Sequence, residues 1–402
     1  GAGRLGGEVV AAGNIDAVMR TPRSVTARFL REPLRHPLRG SRRAIAADTP
    51  RLQVRKATLH NLRAVDVEIP LGRLVCFSGV SGSGKSTLMR EVLEANLRER
   101  TAQRRGQRIA WQHCMGIDGW EAIARVFEVD QTPIGKTPRS CPATYVGIWD
   151  AVRKLFAATS EARVRGFGPG RFSFNTAGGR CSSCDGQGRQ RIEMSFLPEV
   201  HVVCEECGGS RFDAETLEVR FRGQRISDVL DMSVAEAVDF FAAHPSIQRA
   251  LVLLDEVGLG YLRLGQASPT LSGGEAQRIK LVTELARMRG EGERRGAAHA
   301  LYLLDEPTVG LHMADVEKLI GVLHRLVDAG NTVLVIEHNL DLLAEADWVI
   351  DLGPEGGGGG GRIVATGTPE RVSRSGRSHT GRALAPFLAE RGNLARPRQG
   401  AK

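Results

Sequence analysis

Nine residues, Gly79-Val80-Ser81-Gly82-Ser83-Gly84-Lys85-Ser86-Thr87, constrain the fold more than any other part of the chain. They follow the apolar run Leu74-Val75-Cys76-Phe77 and precede Leu88, Val92, Leu93 and Leu97, which recur at helical spacing. Strand, glycine loop and helix in that order are the setting in which a G-x-x-x-x-G-K-[ST] pattern binds phosphate. The glycines let backbone N–H groups turn toward the anion, and the helix N-terminus favours negative charge. Lys85 reaches the β- and γ-phosphates, and Ser86 offers a hydroxyl to Mg²⁺. Gly79, Ser81, Gly82, Ser83, Gly84, Lys85, Ser86 and Thr87 are therefore the candidate ATP contacts.

Such a loop needs acidic groups to hold Mg²⁺ and orient water. Leu301-Tyr302-Leu303-Leu304-Asp305-Glu306 supplies them at the end of an apolar strand, with Asp305 expected to hold the metal through water and Glu306 to act on the attacking water. The similar run Leu251 to Glu256 leads into Val257-Gly258-Leu259-Gly260 and is expected to be a helix. Between the two, Leu271-Ser272-Gly273-Gly274-Glu275-Ala276-Gln277-Arg278 opens the apolar-periodic helix carrying Ile279, Leu281, Val282 and Leu285. Ser272, Gly273 and Gly274 thus form a second cradle at a helix N-terminus, and one ATP cannot fill both cradles of one module.

This order of motifs resembles the ATP-binding-cassette superfamily. The resemblance implies that the Ser272 cradle completes the site of an opposing module, that Gln131 is the Q-loop glutamine and that Asp315 lies in the D-loop region. It also implies that His338, after the strand Thr332 to Ile336, is the switch histidine, which with Gln131 and Glu306 makes up the catalytic set. The expected fold class is α/β: a P-loop ATPase with a mainly helical signature subdomain and an inserted four-cysteine zinc module.

Gln131 and Ser272 stand 141 positions apart, room for a large insertion. Inside it, Cys181-Ser182-Ser183-Cys184 and Cys204-Glu205-Glu206-Cys207 are separated by nineteen residues. Two C-x-x-C knuckles at that spacing give four thiolates for one tetrahedral Zn²⁺. Gly186 and Gly188, then Gly208 and Gly209, permit the turns beneath the sulfurs. A closed four-sulfur site is structural, with no open position for catalysis. The rival reading is a redox or chaperone-type cysteine-rich module, which would repeat its C-x-x-C-x-G-x-G unit more often. Cys76, Cys114 and Cys141 read as ordinary thiols, Cys76 in the core, and the odd total of seven cysteines fits a reducing cytoplasm.

The flanking segments resemble the UvrA family. They are Asp130 to Ser140, Pro142 to Tyr145, Arg171 to Asn175, Gly178 to Cys181, Ile192 to Met194, Phe196 to Pro198, Gly258 to Gln266 and Asp351 to Gly356. Departures are Cys141 where Asn is usual, Val309 where Thr is common, and a long Gly/Arg-rich loop from Met288 to Ala300. The resemblance implies paired head-to-tail cassettes, homodimerisation of the full-length protein, ATP-coupled recognition of damaged duplex DNA, and delivery to UvrB through an N-terminal half absent here. Alternatives are a UvrA-like paralogue serving drug resistance, or the ATPase subunit of a transporter. The latter would carry an aromatic residue for adenine before the loop, and residues 51 to 73 contain none.

An internal echo places the chain within that scheme. Gly6 to Gly13 matches Gly360 to Gly367, and Ser24, Thr26 and Arg28 fall on Ser378, Thr380 and Arg382, every pair offset by 354. Residues 1–30 therefore read as the tail of a preceding cassette whose remainder, a first module, is missing; 31–50 as a basic linker; 51–135 as the first part of the ATP-binding core; 136–264 as the insertion and signature domain with its zinc module at 181–207; 265–390 as the second part of the core; and 391–402 as a basic tail. The linker and tail, rich in arginine and punctuated by Pro and Gly, are expected to be solvated. The net charge of +9 permits phosphate binding. Lys136, Arg139, Arg171, Arg180, Arg189 and Arg191 are candidate DNA-phosphate contacts, each equally readable as a surface charge. No run is long and apolar enough for a membrane span, so a membrane partner is not expected.

Overall fold

The computed structural model describes residues 6–102, 110–192, 200–291 and 299–392. Of the segments just named, 1–5, 103–109, 193–199, 292–298 and 393–402 lie outside the described residues. The chain separates into two compact units, a sheet unit of residues 8–130 and 294–402 and a helical unit of residues 1–7 and 131–293.

The sheet unit contains β1 (Arg51–Ala57), β2 (Val65–Pro70), β3 (Leu74–Gly79), β4 (Gly116–Asp118), β5 (Arg125–Val129), β6 (Ala300–Asp305), β7 (Thr332–Ile336), β8 (Trp348–Gly353) and β9 (Arg362–Gly367). β1 pairs with β2 and β4 in a small antiparallel sheet. The other six form one sheet in the order β9-β8-β3-β7-β6-β5, parallel except for the β8–β9 edge. Every residue of β3 and β7 is buried, because an interior strand of a parallel sheet is covered on both faces. Cys76 lies in β3 with no exposure, and burial pushes its thiol well above the ordinary range. One apolar cluster joins Leu52, Val67 and Ile69 of the small sheet, Leu88, Val92 and Leu97 of the helix after the glycine loop, and Phe77, Leu303 and Leu334 of the large sheet.

The echo has structural counterparts. Gly13 and Gly367 both take positive φ. Asn14 and Thr368 both cap short helices by accepting from the backbone N–H three residues on, as do Ser24 and Ser378.

The linker departs from the solvated tether that its composition suggests. His36 is buried, with Nδ1 2.6 Å from Glu345 and Nε2 2.8 Å from Asp341. Arg42 binds Glu370, and Arg43 binds Asp347 at 2.9 Å and Asp328 at 2.7 Å. The arginines that read as a solvated run face carboxylates roughly 300 positions away, a pairing that composition cannot reveal.

A pH dependence of docking follows. Burial disfavours the charged imidazole, but hydrogen bonds and the charges of Asp341 and Glu345 outweigh it and raise the His36 pKa. Burial likewise opposes ionisation of Glu345, yet hydrogen bonds from His324, His36 and the Leu38 N–H bring its carboxyl down to about 2. The charges around them include Arg391, which pairs with Asp341, Arg43, which contacts His324, and Arg39, whose charge acts on Glu345. His36 therefore contributes stability that is complete below its ordinary value of 6.5 and is lost as pH rises through its raised folded value. Glu345 contributes above its ordinary 4.5 and is lost as pH falls toward about 2. Protection of the amides of residues 38–43, measured against their intrinsic exchange rates at each pH, should be greatest between these limits and fall above neutrality. His36→Gln should flatten the alkaline limb.

The helical unit is built from helices Pro142–Tyr145, Trp149–Ala157, Ser160–Val164, Ala214–Glu218, Ile226–Asp231, Val234–Phe240, Pro245–Leu254 and Gly273–Glu291, with an antiparallel hairpin Arg189–Ile192/Val200–Val203 between the cysteine pairs. Phe156, Phe172, Phe174, Phe212 and Phe241 are fully buried at its centre. The run Leu251 to Glu256 is helical, as expected, and buries Leu251, Leu253 and Leu254.

Candidate functional site

In the sheet unit the glycine loop leaves β3 and enters the helical stretch Thr87–Glu94. Gly79 adopts φ +127°, and a Cβ there would lie 2.0 Å from the Leu352 carbonyl oxygen of β8, so no other residue fits the turn. Lys85 is buried, its Nζ donating to the Gly79 and Val80 carbonyls at 2.9 Å each. Burial lowers its pKa, opposed by the charges of Glu306, Asp305 and Asp351, so the acidic pair at and just after the end of β6 acts on this ammonium.

The loop has a second support that the sequence did not reveal. The Gly357 N–H donates to Gly82 O at 2.9 Å, and the Gly361 N–H to Ser83 O at 3.0 Å. Asn61 Nδ2 ties Gly82 O to Gly357 O at 2.9 and 3.1 Å. The glycine run after β8 thus buttresses the phosphate loop through backbone contacts, a role with no side-chain signature.

Asp305 ends β6, and burial raises its pKa although Arg90 lies 3.1 Å away. Arg90 also approaches Glu128 at 3.6 Å, and burial, aided by the charge of Glu128, pushes Glu94 up to about 7. Arg90, Glu94 and Glu128 were not anticipated, since they sit on a helix and a strand that the sequence pattern marks only as packing elements. Glu306 follows β6 at φ +45°, a conformation uncommon for a residue with a side chain, and its N–H donates to Ile336 O of β7 at 2.9 Å. His338 Nε2 lies 3.4 Å from Glu306 Oε1. The structure therefore brings the glycine loop, Asp305, Glu306 and His338 to the C-terminal ends of β3, β6 and β7 in one unit.

Gln131, Ser272, Gly273 and Gly274 lie in the helical unit. Ser272 and Glu275 form a reciprocal cap, Glu275 N–H to Ser272 Oγ at 3.3 Å and Ser272 N–H to Glu275 Oε2 at 2.7 Å. Gln131 packs against Gly273, where an added Cβ would come within 3.2 Å of its Oε1, and Lys280 Nζ donates to Thr132 Oγ1 at 2.7 Å. The glutamine segment and the signature helix are thereby held together.

The cysteine pairs converge: Cys181 and Cys204 sulfurs are 3.9 Å apart, Cys184 and Cys207 sulfurs 3.7 Å, and all four lie within 4.8 Å of one another. A Zn–S bond of about 2.3 Å in a tetrahedron requires S···S separations of about 3.8 Å, so the quartet fits zinc. Gly186 makes the knuckle possible at φ +74°, where a Cβ would meet the Phe174 carbonyl oxygen at 2.1 Å. The Gly188 N–H points at Cys184 Sγ at 3.2 Å.

Among the six candidate phosphate contacts, Arg171 and Arg180 face carboxylates. Arg171 binds Asp213 at 3.0 Å and Glu215 at 2.9 Å, and Arg180 binds Asp185 at 2.6 Å. Lys136, Arg189 and Arg191 are exposed and Arg139 is half-buried.

No protein-family profile matches the chain. UvrABC system protein A of Thermus thermophilus is 55% identical over 397 residues, covering 98% of this chain and 40% of that protein. Its counterpart from Haemophilus influenzae is 50% identical over 389 residues, covering 96% and 40%. The crystal structure of UvrA2 from Deinococcus radiodurans agrees with a TM-score of 0.82 at 46% identity, over 96% of this chain and 45% of that one. The chain spans about two fifths of the length of the curated relatives it matches. Identity at this level over nearly every residue, with the same fold, means that the chain belongs to the UvrA family.

Proposed function

We propose that this chain is the second ATP-hydrolysing cassette of a two-cassette DNA-repair ATPase, preceded by the tail of the first. The observation that carries the reading is the match to proteins named UvrABC system protein A over 98% of the chain. The loop 79–87 holds the phosphates, with Lys85 against the β- and γ-phosphates. Mg²⁺, when bound, neutralises charge on the phosphates and is held by Ser86 and Asp305. Glu306 takes up the proton of the attacking water, and His338, 3.4 Å away, fixes the Glu306 carboxylate. Ser272, Gly273 and Gly274 face the nucleotide of the opposing cassette, and Gln131 links their helix to that event. Zn²⁺ on Cys181, Cys184, Cys204 and Cys207 is structural. Dimerisation and the loading of UvrB belong to the full-length protein, the latter through segments outside this chain. The domain boundaries at 30/31, 50/51, 135/136, 264/265 and 390/391 form part of the same proposal. No helix among the described residues is long and apolar enough to cross a membrane; action on DNA in the cytoplasm is part of the proposal and rests on the relatives.

Damaged duplex is the proposed partner, met by Lys136, Arg139, Arg189 and Arg191. Four phosphate contacts give a plot of log K against log salt with a slope of about −3.6, since each contributes about −0.9. Changing all four to Gln should bring the slope toward zero. Titrations with damaged and undamaged duplex, with and without ATP, test the reading, and absence of binding even in dilute buffer would remove the DNA role from this segment.

A further inference from the structure

Glu306 and His338, the pair proposed to act on water, are 45% and 47% exposed, so packing does little to fix their side chains. One carboxylate instead ties together the two loops that carry them. Glu337 follows β7 and is 2% exposed. Its Oε1 accepts from the Thr308 N–H at 3.0 Å and from the Thr308 hydroxyl at 2.5 Å. Its Oε2 accepts from the His338 N–H at 2.6 Å and the Asn339 N–H at 2.8 Å. Its own N–H donates to Phe77 O of β3 at 3.0 Å.

These bonds close a ring. Glu306 leads through Pro307 to Thr308, Thr308 is bound to Glu337, Glu337 continues into His338, and the His338 imidazole returns to Glu306. Four donors converge on two oxygens, a demand met by an ionised carboxylate because it is acceptor-only. A glutamine of the same shape would set an amide NH₂ against one pair of donors, leaving buried N–H groups unpaired. Asn339 extends the clamp, since its side chain accepts from the Asp341 and Leu342 N–H groups and caps the helix Leu340–Glu345.

We infer that Glu337 is a positioning residue for hydrolysis, joining the loop after Glu306 to the loop carrying His338 so that the two side chains keep their separation. The inference rests on the hydrolytic reading above. It places no atom of Glu337 on substrate: Glu337 acts through Thr308 and His338, and the glycine loop that binds phosphate is held by other contacts.

The test is steady-state turnover in the two-cassette protein, read above the residual rate of its Glu306→Gln variant, beside nucleotide affinity and thermal melting. Glu337→Gln should lower kcat at least tenfold and leave KM and ATP affinity within twofold. Added to His338→Ala, it should cost less than a further twofold, because both act through one element. Thr308→Val, which removes one of the four donors and serves even where Glu337→Gln does not fold, should lower kcat several-fold, with Thr308→Ser restoring it. Unchanged kcat in both Glu337→Gln and Thr308→Val, a loss that multiplies with that of His338→Ala, or a loss confined to KM would overturn the inference. If Glu306→Gln itself leaves turnover intact, the hydrolytic reading fails first; if Glu306→Gln and His338→Ala abolish turnover while Glu337→Gln does not, only the role of Glu337 fails.

Discussion

Cys184→Ser is expected to abolish zinc binding and to unfold the knuckle region around residues 181–209, while nucleotide binding at the glycine loop should survive. The expected size follows from what the module lacks. Among the described residues its buried cluster consists of Cys181, Cys184 and Cys204 with Cys207 packed against them, and no aliphatic side chain belongs to that cluster. Structural zinc supplies about 10–16 kcal/mol at neutral pH in small four-ligand modules, far more than the cluster's remaining contacts could replace. Serine offers no comparable ligand, and three thiolates leave a position open to water. The glycine loop belongs to the other compact unit and shares no ligand with the quartet. Elemental analysis of the parent should give one zinc per chain; none, or clearly two, would defeat the assignment. In the variant, proteolysis should cut first between residues 181 and 209. Acid should release the metal from the parent, since each thiolate must stay deprotonated to bind.

The features legible in the sequence share a physical property: each is written in residue type at fixed spacing. Gly79 and Gly84 are required by backbone conformation, β3 and β7 by burial on both faces, and Cys181 to Cys207 by ligand geometry. The echo was legible because Ser24 and Ser378 cap helices by the same bond to the backbone three residues on. What stayed hidden depends on partners distant in sequence or on backbone groups common to every residue. The linker arginines Arg42 and Arg43 meet Glu370 and Asp347 only after folding. The Gly356–Gly361 run supports Gly82 and Ser83 through N–H and carbonyl groups alone. Arg171 reads as a DNA contact until Asp213 and Glu215 are seen beside it. Glu337 precedes a histidine that draws attention, and its four bonds, three of them from backbone N–H groups, leave no pattern.

The second large effect separates binding from hydrolysis within one unit. In the two-cassette protein, Glu306→Gln should reduce this cassette's turnover about 100-fold or more, the range over which a positioned general base contributes. ATP affinity should persist, because Lys85, the loop N–H groups and Asp305 are untouched. Lys85→Ala should do the opposite to binding: it removes the ammonium that Gly79 O and Val80 O hold in place at the loop, and affinity should fall with turnover. The isolated chain adds a third arm. Its Ser272 cradle lies at the head of a helix in the helical unit, and a complete site in this reading takes that cradle from an opposing cassette. Turnover by the isolated chain should therefore be feeble at low concentration, with Glu306→Gln changing little. Robust turnover that is lost in Glu306→Gln would mean that two copies of this chain pair with each other and complete both sites, so the rate should then rise with the square of protein concentration at the dilute end. That dependence distinguishes self-pairing from a cassette that hydrolyses alone, whose rate is linear in concentration and whose signature cradle would then need another role.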